Sequence, residues 1–269
     1  MVLVNDLKKI KILPIGSCRI YRPFLKAKNQ VLINNTFQEV EVIYPQFGFF
    51  HSIAEITQVI KMVAFGLSSL EMEYKEFLFR KEPASTTPLN IFNESIWIDG
   101  IFDAQLGNQL RDIDYLLIEV SSLSYFKVRN SDIYLHWNPN FEKNCSYSDI
   151  YPEGYYKNNS FRCEVDKLDC DLNFIKCCLG DILDILPKVK VVLTGHINDE
   201  QSVTRKKLNE MLFEASEDFE RVVFFDNKNI FNKFGYNLLN GKNDVHHLSD
   251  LGEHQLGISL QNLVLSYEC

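Results

Sequence analysis

"IKILPIGSCRIYRPF", residues 10–24, decides the fold. Its first six residues form an apolar run of strand length, "IKILPI". Gly16-Ser17-Cys18 then interrupts the run, and a chain with helical potential follows. A strand that stops at a small residue and turns directly into a helix is the opening unit of a parallel sheet covered by helices. In such sheets ligands bind beyond the carboxyl ends of the strands. Gly16-Ser17-Cys18 lies at one such end, so a thiol sits where chemistry is expected.

The rest of the chain repeats this alternation. "VEVIYP" (40–45) is a second strand candidate, and "HSIAEITQVIKMVAFGL" (51–67) places Ile53, Ile56, Ile60 and Val63 at helical spacing. "DYLLIEV" (114–120) is a continuous apolar run, as expected of a central strand buried on both faces. Residues 126–165 break the rhythm, being Tyr- and Asn-rich with weak periodicity, and read as an insertion over one end of the sheet. A helix is predicted at 170–186, a strand at 190–195 ("KVVLTG"), a helix at 203–216 and a strand at 221–226 ("RVVFFD"). A closing helix at 250–266 begins after Ser249, a suitable N-cap. The order βαβαβαβα predicts one α/β domain over residues 1–269, a doubly wound, flavodoxin-like parallel sheet with an aromatic-rich insertion at about 126–165.

Composition narrows the function classes. The 269 residues are 46% hydrophobic and 24% charged, ordinary for a globular chain. The net charge of −8, from 28 basic and 36 acidic residues, argues against binding a nucleic-acid backbone. It leaves room for a small anionic ligand held by a local donor cluster. No run approaches the ~20 apolar residues of a membrane span, and "MVLVNDLKKI" lacks the pattern of a signal peptide. The seven cysteines are odd in number and unpaired in pattern, which predicts a reducing, cytoplasmic setting. Cys163, Cys170, Cys177 and Cys178 show no zinc-like spacing, so no metal is expected. The sequence sets no oligomeric state.

A second chemical signal lies near the other terminus, in "NDVHHLSDLGEHQLG" (243–257). Asp244 and His247 are three residues apart in what reads as a loop before the last helix. At that spacing a carboxylate can fold back on the imidazole, fix its tautomer and stabilise the imidazolium. His246 reads as a solvent-facing neighbour. A thiol at the first turn of a helix meets the positive end of the macrodipole, which favours thiolate. Cys18, His247 and Asp244 together compose a nucleophile, a base and an orienting group. Taken alone, Cys18 reads as a small buried hydrophobe and His247 could be a helix-capping or surface histidine; the presence of the other motif turns both towards catalysis.

These motifs resemble the SGNH (GDSL-type) hydrolase superfamily, and within it the GSC-containing branch of GSCFA-like and capsule-locus acetyltransferase-like proteins. There a Gly-Asp-Ser motif follows the first strand and a DxxH motif precedes the last helix. Aligning these on Gly16-Ser17-Cys18 and Asp244-Val245-His246-His247 implies Cys18 as nucleophile, His247 as base and Asp244 as its partner. Ser17 remains the alternative nucleophile. The resemblance implies an oxyanion hole from Gly48, from Ser122 (or Ser121) and from the Cys18 amide. The "EVSSLSY" stretch departs from the family's Gly-x-Asn here, with Asn198 a looser substitute. Ser17, Arg19, His51, His196, Asn198 and Trp137 are candidates for substrate or donor contacts. Arg19 and Arg22 could hold an anionic donor such as a coenzyme A phosphate. Trp137 and the Tyr-rich insertion could stack on sugar rings or form a small satellite core.

The resemblance implies acyl transfer, with an O-acetyltransferase of surface-polysaccharide synthesis as the leading expectation. Acetyl-CoA would then be the donor, a carbohydrate the acceptor, and no cofactor would be tightly bound. A carbohydrate or small-ester esterase with the same residues is the alternative. A catalytically inactive glycan- or protein-binding module on this fold is a third.

Overall fold

The computed structural model describes residues 9–29, 40–43, 50–66, 110–136, 165–198, 200 and 202–267. The apolar run after residue 9 forms β1 (Ile10–Ile15), and α1 (Cys18–Asn29) starts three residues after it. β2 (Val40–Val42), α2 (Ile53–Phe65) and β3 (Tyr115–Val120) follow. β2 is shorter than the expected 40–45 strand, and residues 44–49 lie outside the described residues. Beyond β3 come β4 (Ser124–Val128), β5 (Tyr134–Leu135), β6 (Val165–Asp169) and α3 (Leu172–Ile185). The chain continues through β7 (Lys190–Gly195), α4 (Val203–Ser216), β8 (Val222–Phe224) and α5 (Lys228–Phe234). It ends with β9 (Tyr236–Leu239), β10 (Lys242–Leu248) and α6 (Asp250–Ser266).

The main sheet has five strands in the order β2-β1-β3-β7-β8, every pair parallel. Among its own strands this is the order second, first, third, fourth, fifth, a flavodoxin-like doubly wound arrangement. β3 sits at its centre and all six of its residues are buried, as a continuous apolar run requires. Its side chains alternate between the two faces. Tyr115 and Leu117 join Ile20, Phe24, Leu256 and Leu260 of α1 and α6 on one side. Leu116 and Ile118 join Ile56, Ile60, Leu179 and Leu212 of α2, α3 and α4 on the other. α1 and α6 approach closely at Gly257, where a Cβ would lie 2.9 Å from the Pro23 carbonyl oxygen.

Of the segment expected as an irregular insertion at 126–165, residues 126–136 and 165 are among the described residues, and they carry strands. β4 pairs antiparallel with β5 and with β6, giving a three-stranded sheet in the order β5-β4-β6. Tyr125 stacks on Phe174 of α3 at 4.9 Å, and Tyr134 meets both rings edge-on. These three aromatics pack with the main core. Trp137, Tyr147, Tyr151, Tyr155, Tyr156 and Cys163 lie outside the described residues. Cys170 and Cys178 are buried in the core, where desolvation pushes both thiols up to about 12.

Candidate active site

The first turn after β1 is set by what lies beneath it. Gly16 has φ +151°, and a Cβ there would sit 2.6 Å from the backbone oxygen of Glu119 on β3. Only glycine lets the chain cross the adjacent strand this closely before α1 begins. The Gly16 carbonyl accepts the Phe50 amide at 2.8 Å, which brings the entry to α2 alongside. α2 is closed by a reciprocal capping box between Ser52 and Glu55.

Asp244 and His247 do not lie in a loop. They occupy β10, the second strand of a hairpin with β9, turned through Asn240 and Gly241 at positive φ. The register is regular from Lys242 to Asp244, and then jumps: Asp244 faces Asn237 while Leu248 faces Tyr236. The three residues between form a bulge, a device that re-aims side chains. It curls His247 back so that Nδ1 lies 2.6 Å from Asp244 Oδ2. Asp244 also accepts the His246 amide at 3.1 Å.

The two ends of the chain meet at the carboxyl edge of the sheet. Cys18 Sγ lies 3.1 Å from His247 Nε2, across a sequence separation of 229 residues. That is within the ~4 Å reach a nucleophile–base pair needs. Sulfur, imidazole and carboxylate therefore form one chain, Sγ to Nε2 and Nδ1 to Oδ2. Burial works against the Asp244 carboxylate, but His247, the His246 amide and the neighbouring imidazoles hold its pKa below the usual range. His246 is exposed, as expected.

The other expected site residues divide. Ser17 is 1% exposed; its amide donates to Glu119 Oε2 and its hydroxyl accepts from the Arg19 amide. It is a structural part of the turn, and Cys18 is the residue that faces His247. Ser122 is not an oxyanion donor in this arrangement. Its amide and that of Ser121 both donate to the His51 carbonyl at 2.8 Å, and its hydroxyl donates to the Ser124 carbonyl. Asn198 is likewise committed, its side chain donating to Asp226 and its amide to Asn227. Gly48 lies outside the described residues. Of the expected donors, the Cys18 amide is the one at the helix start beside the sulfur.

His51 stays at this edge, Nδ1 3.0 Å from Ser121 Oγ and its ring 5.1 Å from His136. His136 in turn contacts the buried Glu55 carboxylate at 2.7 Å. His196 is buried rather than presented to a ligand, and its ring packs edge-on against His246. Arg19 is not an idle cation, since its Nε donates to Glu119 Oε1 at 2.8 Å. Arg22 is more exposed and lies 3.5 Å from Glu253. Sequence reading missed Glu119, Glu55 and His136. For Glu119 a signal existed, since it is the single carboxylate within the apolar run "YLLIEV".

Fold and site together define a doubly wound α/β protein with a cysteine–histidine–aspartate cluster at its sheet edge. Residues 10–139 match the TviD N-terminal domain, a span that includes Cys18 and the whole of β3. No curated protein matches the chain. Among solved structures it is similar to a Clostridium thermocellum family 3 carbohydrate esterase, at 10% identity and a TM-score of 0.45, over 96% of this chain and 99% of that one. A carbohydrate esterase family 2 enzyme with a carbohydrate binding domain from Corynascus thermopiles (Myceliophthora fergusii) matches at 11% identity and a TM-score of 0.38, over 98% of this chain and 68% of that one. A family two carbohydrate esterase from Cellvibrio japonicus matches at 11% identity and a TM-score of 0.39, over 96% and 61%.

Proposed function

We propose that Cys18, His247 and Asp244 carry out acyl transfer, moving an acetyl group from a thioester donor such as acetyl-CoA to a carbohydrate hydroxyl. The observation that carries this reading is the continuous contact from Cys18 Sγ through His247 to Asp244. His247 Nε2 takes the thiol proton as Sγ attacks the acyl carbon. The carbon–sulfur bond to coenzyme A then breaks, and the departing thiolate takes that proton from His247. In the second half, His247 removes the proton of the acceptor hydroxyl, whose oxygen attacks the Cys18 thioester. Cys18 leaves as thiolate and regains its proton from His247. Asp244 keeps Nδ1 protonated and stabilises the imidazolium in both halves.

The carbohydrate acceptor rests on the resemblance of the Gly16-Ser17-Cys18 and Asp244-His247 motifs. With acetyl-CoA as donor, the proposed reaction would belong in the cytoplasm. No helix among the described residues is long and apolar enough to cross a membrane. Water in place of the sugar would make the same relay an esterase, so the two readings differ only in the second half-reaction.

Intact-mass measurement after incubation with acetyl-CoA tests the proposal. A single acetyl adduct is expected on the native chain and none on Cys18→Ala. Cys18→Ser is expected to acylate slowly, since a hydroxyl depends more on its base than a thiol does. An adduct that persists in Cys18→Ala and vanishes in Ser17→Ala would move the nucleophile by one residue.

A further inference from the structure

Glu119 ends the apolar part of β3 with a carboxylate that is 2% exposed. A buried carboxylate is costly unless paired and hydrogen-bonded. Here each oxygen has a partner. Oε2 accepts the Ser17 amide at 2.9 Å, which is the turn that carries Cys18. Oε1 accepts Arg19 Nε at 2.8 Å, in an ion pair whose two side chains are 12% and 3% exposed. The same guanidinium reaches on with a second nitrogen to the His246 carbonyl at 3.4 Å. His246 directly precedes His247 in the bulge of β10.

We infer that Glu119 and Arg19 are positioning residues, a buried strap that fixes the distance between the nucleophile turn and the hairpin bearing the base. The inference rests on the proposed reading only in taking Cys18 and His247 as the reacting pair. Sulfur and imidazole stand on separate elements, and their contact depends on how α1 is held against β10. β3, the most constrained strand of the sheet, supplies the fixed point. Glu119 grips the start of α1 directly, and Arg19 passes the same anchor across to the hairpin backbone. A planar guanidinium can serve both acceptors at once, and a lysine ammonium cannot reproduce that fork. The strap also explains why Arg19 is withheld from an anionic donor.

The test is the pH profile of Cys18 alkylation by iodoacetamide, read peptide by peptide by mass spectrometry without any acyl donor. Cys177 is exposed on α3 and serves as the internal reference. His247→Ala defines the profile of a thiol without its base. Arg19→Lys keeps the charge and is expected to slow Cys18 alkylation at neutral pH roughly tenfold, moving the profile towards that of His247→Ala. The Cys177 profile should stay as in the native protein, while the melting temperature falls, because loosening a buried ion pair is destabilising. Glu119→Gln should do the same, because Ser17 and Arg19 each use a separate carboxylate oxygen, and the amide replaces one of those acceptors with an NH2 that only donates. If Glu119→Gln fails to fold, Arg19→Lys decides alone. A native profile in Arg19→Lys, with His247→Ala shifted, overturns the strap and leaves the Cys18–His247 pair standing. A native profile in His247→Ala overturns the pair itself.

Discussion

Asp244 holds its charge against its surroundings. Burial disfavours the carboxylate, yet the His247 hydrogen bond and the His246 amide outweigh that cost and depress its pKa. Replacing it with Asn removes the charge and offers Nδ1 either a weaker acceptor or a competing donor. The imidazole then loses both its fixed tautomer and its counter-charge. Asp244→Asn should reduce the rate of adduct formation roughly a hundredfold, with the melting temperature within a few degrees of native. Single-turnover kinetics with acetyl-CoA measure this, and an unchanged rate would remove Asp244 from the relay. At this scale Cys18, His247 and Asp244 were legible in the sequence, because each sits in a short motif whose spacing constrains it. Ser122 and Asn198 were not. Their donors are taken by His51, Asp226 and Asn227, partners that no local pattern reveals.

The element that matters most for the site is the bulged hairpin. Its turn is written as Asn240-Gly241, a strong signal for a two-residue connection. The sequence reading nevertheless placed Asp244 and His247 in a loop, because the bulge destroys the alternation that would mark β10 as a strand. The same irregularity brings the two side chains together. A regular strand would put residues three apart on opposite faces. Val245 lies within the bulge and is 44% exposed, so it contributes little to packing. Deleting it should shift His247 by one position and break both of its contacts. We expect a cost of no more than about 1 kcal/mol in stability. Cys18 alkylation should fall to the His247→Ala level. A deletion variant that alkylates like the native protein would show that the bulge does not set the geometry.

On the scale of the whole molecule, the doubly wound parallel sheet was readable from the alternation of strand and helix and from the apolar run at β3. The β4-β5-β6 sheet was hidden because β4 pairs with β6 across a long segment, and pairing of that kind leaves no local trace. The convergence at the carboxyl edge carries its own cost, which His196 shows. This residue follows β7 and is 5% exposed, with Arg19, Arg205 and His246 around it. Its carbonyl receives the Asn209 and Asn227 side-chain amides, which brings no charge to offset those cations. Desolvation comes first and the nearby positive groups add to it, so the folded-state pKa falls far below the ordinary 6.5. The unfolded chain therefore binds a proton below about pH 6.5 that the folded chain refuses. Stability is fully present above that pH and is lost as the pH falls, by at most ~1.4 kcal/mol per pH unit from this residue. His246, exposed as a residue but with its ring packed against His196, is displaced in the same direction by partial desolvation and then by Arg19 and Arg205, and adds to the same slope. Urea unfolding between pH 5 and 7 should show the decline in the native protein. His196→Gln should be less stable at pH 7, for lost packing, yet distinctly flatter across that range. An equal slope in both proteins would mean that His196 accepts its proton without unfolding, and that the sheet edge yields to let it.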